Sequence, residues 1–244
     1  MLQGMELRIP ADARPLGTRV CAGLVELAER AVRGLHGASP GPVAVVSRLR
    51  GTGRGVSSSA LFDALERDHP VTPVAPFEDS ERVAGAVWRG DQILGASSKA
   101  AVARLIWASD ARDLPMHVHD QSDRFIVVRK GRGFFHVSDE TCEDFTGQRV
   151  RSIPARERDV FLFTRGVVHT FSTDREPMEL LSCQLPFVPF DQPEQYRIPS
   201  CRWTAETHRD GYAAGVACDA AWTVLARQPV RNIVAECMVP LVGC

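Results

Sequence analysis

A mainly β protein, built as an antiparallel barrel or jelly roll behind an N-terminal helical extension, is the fold that the sequence predicts. Short segments with a period of two recur between residues 83 and 185, separated by turn signals such as Gly90-Asp91. Short strands at this spacing are typical of closed antiparallel sheets. Upstream, apolar residues from Val20 to Leu35 instead recur at helical spacing, which predicts an amphipathic helix.

The composition is that of an ordinary globular protein. The 244 residues are 44% hydrophobic and 24% charged, and 29 basic against 30 acidic side chains leave a formal charge of −1. This balance gives no bulk attraction to nucleic acid or to an anionic membrane, so we expect neither partner. No apolar run approaches the roughly 18 residues of a membrane span.

The cell compartment is predicted from the N-terminus and the cysteines. The first residues show no basic region followed by an apolar core, so we expect no signal peptide. Seven cysteines are scattered without C-x-x-C pairs, a usage that suits free thiols in a reducing cytoplasm. We therefore expect a cytoplasmic protein.

The chain divides into three predicted segments. Residues 1–78 form an N-terminal arm with one helix near Thr18 to Leu35 and a second from Ser57–Ser59 through Leu65. Residues 79–192 form the barrel. Residues 193–244 form a C-terminal extension packing on it, with a short helix around residues 213–226.

Seven strands are predicted within the barrel segment from periodicity and turn residues. A hairpin is expected where Arg129 to Gly133 joins the third strand to the fourth. The predicted strands are Val83–Trp88, Val102–Trp107, Phe125–Val128, Phe134–Val137, Val160–Thr164, Val168–Ser172 and Leu180–Leu185.

Three histidines carry the candidate chemistry. His117 and His119 are two residues apart, and side chains at positions i and i+2 of a strand point to the same face. His169 follows fifty residues later, just after the turn at Gly166. Neutral imidazoles bind divalent transition metals, and three on one side leave coordination positions open. The alternative is that these are isolated core or surface histidines, but the spacing of the trio favours a metal site.

These residues resemble the two motifs of the cupin superfamily over roughly residues 83–190. His117, His119 and Gly131 fit the first motif, G-x5-H-x-H-x3,4-E-x6-G. Gly166 and His169 fit the second, G-x5-P-x-G-x2-H-x3-N. Thr164 stands where the second motif has proline, and Thr173 where it has asparagine. The resemblance implies a cupin jelly roll with the three histidines as metal ligands, and it does not define the reaction.

The glutamate ligand of the first motif has no counterpart in register. Arg124 occupies its position, and Asp123 would need a one-residue slip to serve. Three outcomes stay open. In the first, Asp123 is the fourth ligand. In the second, the site has three histidines only, as in the thiol and diketone dioxygenase branches of the cupins. In the third, Arg124 turns outward or binds an anionic substrate group. Arg165, in the loop before His169, is a second candidate for such a group.

Two hypotheses about function follow from the resemblance. The first is a mononuclear non-haem dioxygenase acting on a small organic molecule, with Arg124 as the residue that orients the substrate. Its cofactor would be one divalent transition metal, with Fe(II) favoured and Zn, Ni, Mn or Cu as alternatives. The second is a non-enzymatic or regulatory cupin that binds a small ligand or metal. In either case we expect a homodimer, because open sheet edges and an amphipathic helix need cover.

Overall fold

The computed structural model describes residues 7–38, 41–49, 58–95, 99–208 and 224–226, and these form three α-helices, ten strands and a 3-10 helix. The helices are α1 (Leu16–Ala38), α2 (Ser58–Asp68) and α3 (Gly90–Ile93), and the 3-10 helix is Pro193–Gln195. The strands are β1 (Val43–Arg48), β2 (Thr72–Val74), β3 (Val83–Arg89), β4 (Ala101–Trp107), β5 (Asp123–Ser138), β6 (Val150–Arg156), β7 (Asp159–Phe163), β8 (Val168–Ser172), β9 (Met178–Leu185) and β10 (Val224–Ala226).

Strand β5 belongs to two sheets and joins them into one barrel. Its first half pairs with β7 on one side and β9 on the other. Its second half pairs with β6 and β8. The larger sheet has the order β10-β1-β7-β5-β9-β4-β3-β2, and all of its pairs are antiparallel. The predicted fold class, an antiparallel jelly-roll barrel with an N-terminal helix, is confirmed.

Aromatic side chains fill the space between the two sheets. Phe135 of the second half of β5 lies with its ring centroid 4.6 Å from that of Phe161 and 4.9 Å from that of Phe171. Trp107 continues the cluster at 5.5 Å from Phe171. These rings are buried in one apolar cluster, and their geometry adds to the stabilisation that burial itself provides.

Helix α1 covers the outer face of the larger sheet. Val20, Leu24 and Leu35 recur at helical spacing and are fully buried in one cluster with residues of the sheet. Because side chains alternate along a strand, Phe125 of β5 faces this cluster while Ile126 faces the barrel interior. The predicted helix is therefore confirmed, and its apolar stripe is buried within its own chain.

The predicted hairpin at Arg129–Gly133 is wrong, because β5 runs through this stretch as one strand of 16 residues. A register shift between Val128 and Lys130 marks a bulge, and Gly131 has a positive φ of 77°. A bulge bends a strand without reversing it. The glycine-rich stretch thus carries β5 from one sheet into the other.

The sheet also takes in strands from outside residues 79–192. β1 and β2 lie in the predicted N-terminal arm, and β1 pairs with β7 of the barrel. Residues 224–226, expected to end a helix, instead form β10 against β1. The rest of that expected helix lies outside the described residues.

Two further features of the described residues concern a membrane span and the cysteines. In the described part of the chain, no helix combines the length and apolar character needed to cross a membrane. The four cysteines described there are free thiols: Cys21, Cys142 and Cys183 are buried, and Cys201 is exposed.

Candidate metal centre

The backbone places two of the histidines directly opposite each other. The amide of His117 donates to the carbonyl of His169 at 2.9 Å, and the amide of His169 donates back at 2.9 Å. Residues opposed in this way carry their side chains on the same face. His119, two residues further on, shares that face, and the three ring centroids lie 4.6–5.3 Å apart.

Each histidine has its Nδ1 atom beside a backbone carbonyl. The partners are the carbonyls of Pro115 for His117 at 3.0 Å, Gln195 for His119 at 2.5 Å, and Val167 for His169 at 2.9 Å. A carbonyl only accepts hydrogen bonds, so these contacts place the proton on Nδ1 and leave the lone pair on Nε2. Backbone carbonyls fix metal-binding histidines in this tautomer.

Burial keeps all three imidazoles neutral. It lowers the pKa of His117 to about 4, with a nearby Arg124 charge acting in the same direction. Burial first, and then the charge of Arg124, holds the pKa of His119 well below its usual range. The pKa of His169 is likewise lowered well below normal, again mainly by burial. Neutral imidazole is the form that ligates a metal, since a proton would block the nitrogen lone pair.

The three residues fit a divalent transition metal. All are buried, and one ring nitrogen from each lies within 4.8 Å of the others. The set of three neutral nitrogen donors suits Fe(II), Zn, Ni or Cu. In zinc sites the distance from the metal to a histidine nitrogen is about 2.0–2.1 Å. Three protein ligands leave coordination positions for small molecules.

Arg124 faces the same space, as the register with the cupin glutamate predicts. It is only 2% exposed, and its Nη2 lies 3.1 Å from Nδ1 of His119 and 3.5 Å from Oε1 of Gln195. Its Nη1 donates to the hydroxyl of Ser122. Burial lowers its pKa to about 9, so the guanidinium is charged at neutral pH. None of the ion pairs among the described residues includes Arg124.

Asp123 is not brought into the histidine group. Strand alternation turns it to the outer face of the sheet, where its carboxylate accepts from the backbone amide of Arg165 at 2.8 Å. His36 of α1 lies 3.1 Å from its other oxygen, and the Arg165 side chain reaches that oxygen at 3.3 Å. Arg165 is half exposed and engaged there. Both residues thus connect α1 and the turn before β8 to β5.

A small cavity of about 20 Å³ opens between the three histidines and Arg124. This is room for about one or two water-sized groups. Its other lining residues are Phe77, Leu105, Trp107, Ile126, Phe171, Ser182, Gln184, Phe190 and Gln195.

Two glutamines of this cavity were missed in the sequence. Gln184 is 1% exposed and its Oε1 is buried without a hydrogen-bond partner in the described structure. It is the cross-strand neighbour of Arg124, so both side chains share one face. Gln195 arrives from the 3-10 helix, which is tied to the site by reciprocal amide–carbonyl bonds between Val118 and Arg197 at 2.9 Å.

His136 is a buried histidine that does not line this cavity. It is fully buried between the hydroxyls of Ser152 and Ser172, each 2.8 Å from one ring nitrogen. The ring of Trp203 covers it at 5.2 Å. Burial lowers the pKa of His136 to about 3.

The fold and the site together define a cupin-type jelly-roll barrel that holds a three-histidine cluster. No family model matches the chain, and no curated protein matches its sequence. Among solved structures, it is similar to oxalate decarboxylase from Lactobacillus farciminis at 17% identity and a TM-score of 0.36, over 48% of this chain and 32% of that one.

Two further solved structures show likeness at the same level. A sugar phosphate isomerase of the cupin superfamily from Silicibacter pomeroyi has 18% identity and a TM-score of 0.32, over 42% of this chain and 60% of that one. A 7S globulin from Momordica charantia has 16% identity and a TM-score of 0.37, over 52% of this chain and 34% of that one. The chain thus spans less than two thirds of each of these proteins. Identities and scores this low carry no information about activity.

Proposed function

We propose that this protein is a mononuclear non-haem metal enzyme, a dioxygenase of the Fe(II) type, acting on a small organic anion. The observation that carries the proposal is the pairing of three neutral, buried histidines with a buried cation on one cavity. When bound, a metal of this type would supply Lewis-acid and redox chemistry at this cavity. His117, His119 and His169 would hold it.

Arg124 supports the anionic character of the substrate. A buried charge without an ion-pair partner is costly, and here Ser122 and Gln195 offer only neutral acceptors. A substrate carboxylate would supply the missing counter-charge, and the planar guanidinium would fix its orientation.

Gln184 narrows the substrate class further. Gln184 lines the cavity and its buried Oε1 has no hydrogen-bond partner among the described residues, and a buried acceptor without a donor costs about 1–3 kcal/mol. A hydroxyl, thiol or enol on the substrate would donate to it. The proposed substrate therefore combines a carboxylate, held by Arg124, with a proton donor, held by Gln184.

A non-enzymatic cupin that binds a small ligand is the second candidate. One specific observation favours it: the described residues lining the cavity include no carboxylate that could act as a general acid or base. Under this proposal the same metal and Arg124 bind an anion without turnover, and α1 passes its occupancy to a partner through the contact of His36 with Asp123.

Oxygen consumption separates the two candidates. The full chain is loaded anaerobically with Fe(II) and then exposed to oxygen with a panel of small hydroxy, thiol and diketo acids. We expect substrate-dependent oxygen uptake that disappears in Zn-loaded protein and in His119→Ala. Anion binding by calorimetry without any oxygen uptake would assign the protein to the second class. The absence of both anion binding and oxygen uptake across the whole panel would contradict both proposals.

We also propose a homodimer in the cytoplasm. The free thiols support a reducing compartment. Among the described residues the larger sheet ends in β2 and β10, and an unpaired sheet edge can pair with a second copy.

A further inference from the structure

A second concave surface lies away from the metal centre, and we call it the arginine groove. It has a volume of about 630 Å³ and shares no lining residue with the histidine cavity. Its defining residues are Arg112, Arg132, Arg156, Arg175, Phe134 and Pro154. Asp174 and Glu176 complete its charged lining, so four basic and two acidic residues leave a local charge of +2 in a chain of net charge −1.

The register of β5 and β6 places two of these arginines against each other. Arg132 is the direct cross-strand partner of Arg156, and Phe134 is the partner of Pro154. Opposed residues and residues two apart share one face of a sheet. The groove wall is therefore a pair of guanidinium groups next to an aromatic and a proline surface. Like charges directly opposite each other destabilise a sheet, so a negative charge next to either guanidinium is stabilising.

The acidic residues of the groove do not neutralise all four cations. Arg132 pairs with Glu176 at 2.9 Å, and Arg112 pairs with Asp174. Arg156 reaches an acid, Asp159, only at 4.0 Å and is 69% exposed. Arg175 is exposed and makes no ion pair or side-chain hydrogen bond with the residues that the structure describes. Two guanidinium groups thus remain available to a ligand.

We propose that the arginine groove binds an organic phosphate. The phosphate group would lie between Arg156 and Arg175, because guanidinium forks match phosphate oxygens in two-bond geometry. A flat ring would lie against Pro154, next to Phe134, where burial of apolar surface contributes to binding. The volume of the groove accommodates a molecule of nucleotide size. This proposal does not depend on the chemistry at the histidines.

Calorimetric titration of the full chain with ADP, inorganic pyrophosphate and adenosine tests the proposal at fixed ionic strength. We expect one saturable ADP site per chain, weaker binding of pyrophosphate because it has no ring, and no binding of adenosine. Arg156→Gln and Arg175→Gln should each weaken ADP binding about tenfold, the effect of losing one charged hydrogen bond. Both residues are exposed, so the variants should fold as the wild type does.

Two controls make the result specific. Arg89→Gln removes an exposed arginine on β3, away from the groove, and should leave ADP binding unchanged. His119→Ala removes a metal-site residue and should also leave ADP binding unchanged. A loss of ADP binding in this variant would mean that ADP binds through the metal. The proposal is overturned if ADP binds no tighter than pyrophosphate, if binding survives both groove substitutions, or if an acidic peptide binds the groove more tightly than ADP.

Discussion

The guanidinium of Arg124 and the backbone carbonyl of Gln195 compete for one nitrogen of His119. The carbonyl oxygen lies 2.5 Å from Nδ1, and Nη2 of Arg124 lies 3.1 Å from the same atom. A carbonyl only accepts and a guanidinium only donates, so Nδ1 satisfies one partner at a time. The shorter contact favours a protonated Nδ1, which leaves Nε2 free for a metal. Arg124 therefore stands both as a competing donor and as a positive charge beside the metal centre.

Replacing Arg124 should strengthen metal binding. In Arg124→Glu a carboxylate replaces the cation at the position that the cupin motif gives to a ligand, and we expect metal affinity to rise at least about tenfold, since opposite charges near 4 Å are worth several kcal/mol at an effective dielectric of about 20. Arg124→Met, which removes charge without adding a ligand, should give an intermediate affinity. Competition with a chelator measures both.

The same variants should lose affinity for small carboxylates, measured by calorimetry on metal-loaded protein. Weaker metal binding in Arg124→Glu than in the wild type would contradict this account, because it would mean that residue 124 does not face the ligand position. Unchanged carboxylate affinity in Arg124→Met would remove Arg124 from the proposed anion site.

His136 should make the protein sensitive to acid. Its ordinary pKa of 6.5 is lowered to about 3 by burial, so between these values the unfolded chain binds a proton here that the folded chain does not. The free energy of unfolding should therefore fall as pH falls from 6.5 towards 3, by about 1.4 kcal/mol per pH unit for this residue. Above pH 6.5 the contribution no longer changes with pH.

Urea unfolding at several pH values measures this slope. His136→Gln keeps hydrogen-bonding groups for Ser152 and Ser172 but does not titrate, so its slope below pH 6.5 should be smaller than that of the wild type. His208→Gln changes an exposed histidine and should leave the slope unchanged. Equal slopes in wild type and His136→Gln would show that His136 is not buried neutral.

The apolar stripe of α1 should contribute strongly to stability. Leu24 is fully buried between the helix and the sheet, and truncating a buried leucine to alanine typically costs about 2–5 kcal/mol. We expect Leu24→Ala to lower the free energy of unfolding by this amount in denaturant titrations. The control Glu26→Ala, on the exposed side of the same helix, should change it by less than about 0.5 kcal/mol. Similar losses in both variants would contradict the packing.

A homodimer stays a prediction. Light scattering at micromolar concentration should give twice the mass of 26.8 kDa. A mass of one chain at every concentration tested would contradict it. Because α1 covers its own sheet, deletion of residues 1–40 is expected to unfold the chain and is not a clean test of the interface.

Much of the site could be predicted from the sequence, because the spacings and motifs that identify it involve residues close together in the chain. Spacing by two placed His117 and His119 on one side, and the motif around Gly166 identified His169. Alternation also explains why Arg124 faces the cavity and Asp123 does not. Gln195 could not be found in this way, since its position depends on a bridge between Val118 and Arg197, far apart in the chain.

Other features were ambiguous for physical reasons. The Gly131-Arg-Gly133 stretch has the composition of a turn, and a bulge that bends a strand uses the same residues. β6 was missed because it is a largely exposed strand that contains Pro154, and proline is tolerated at such edges. Gln184 lay in a predicted strand, but polar residues at every second position fit a solvent-facing side as well as a polar cavity.

Metal content tests the central claim of a three-histidine centre most directly. Elemental analysis of protein purified without an affinity tag should find about one transition metal per chain. His117→Ala/His119→Ala should lose most of it, while His36→Ala, which changes a histidine outside the cluster, should retain it. Equal metal content in the wild type and in the double variant would contradict the account.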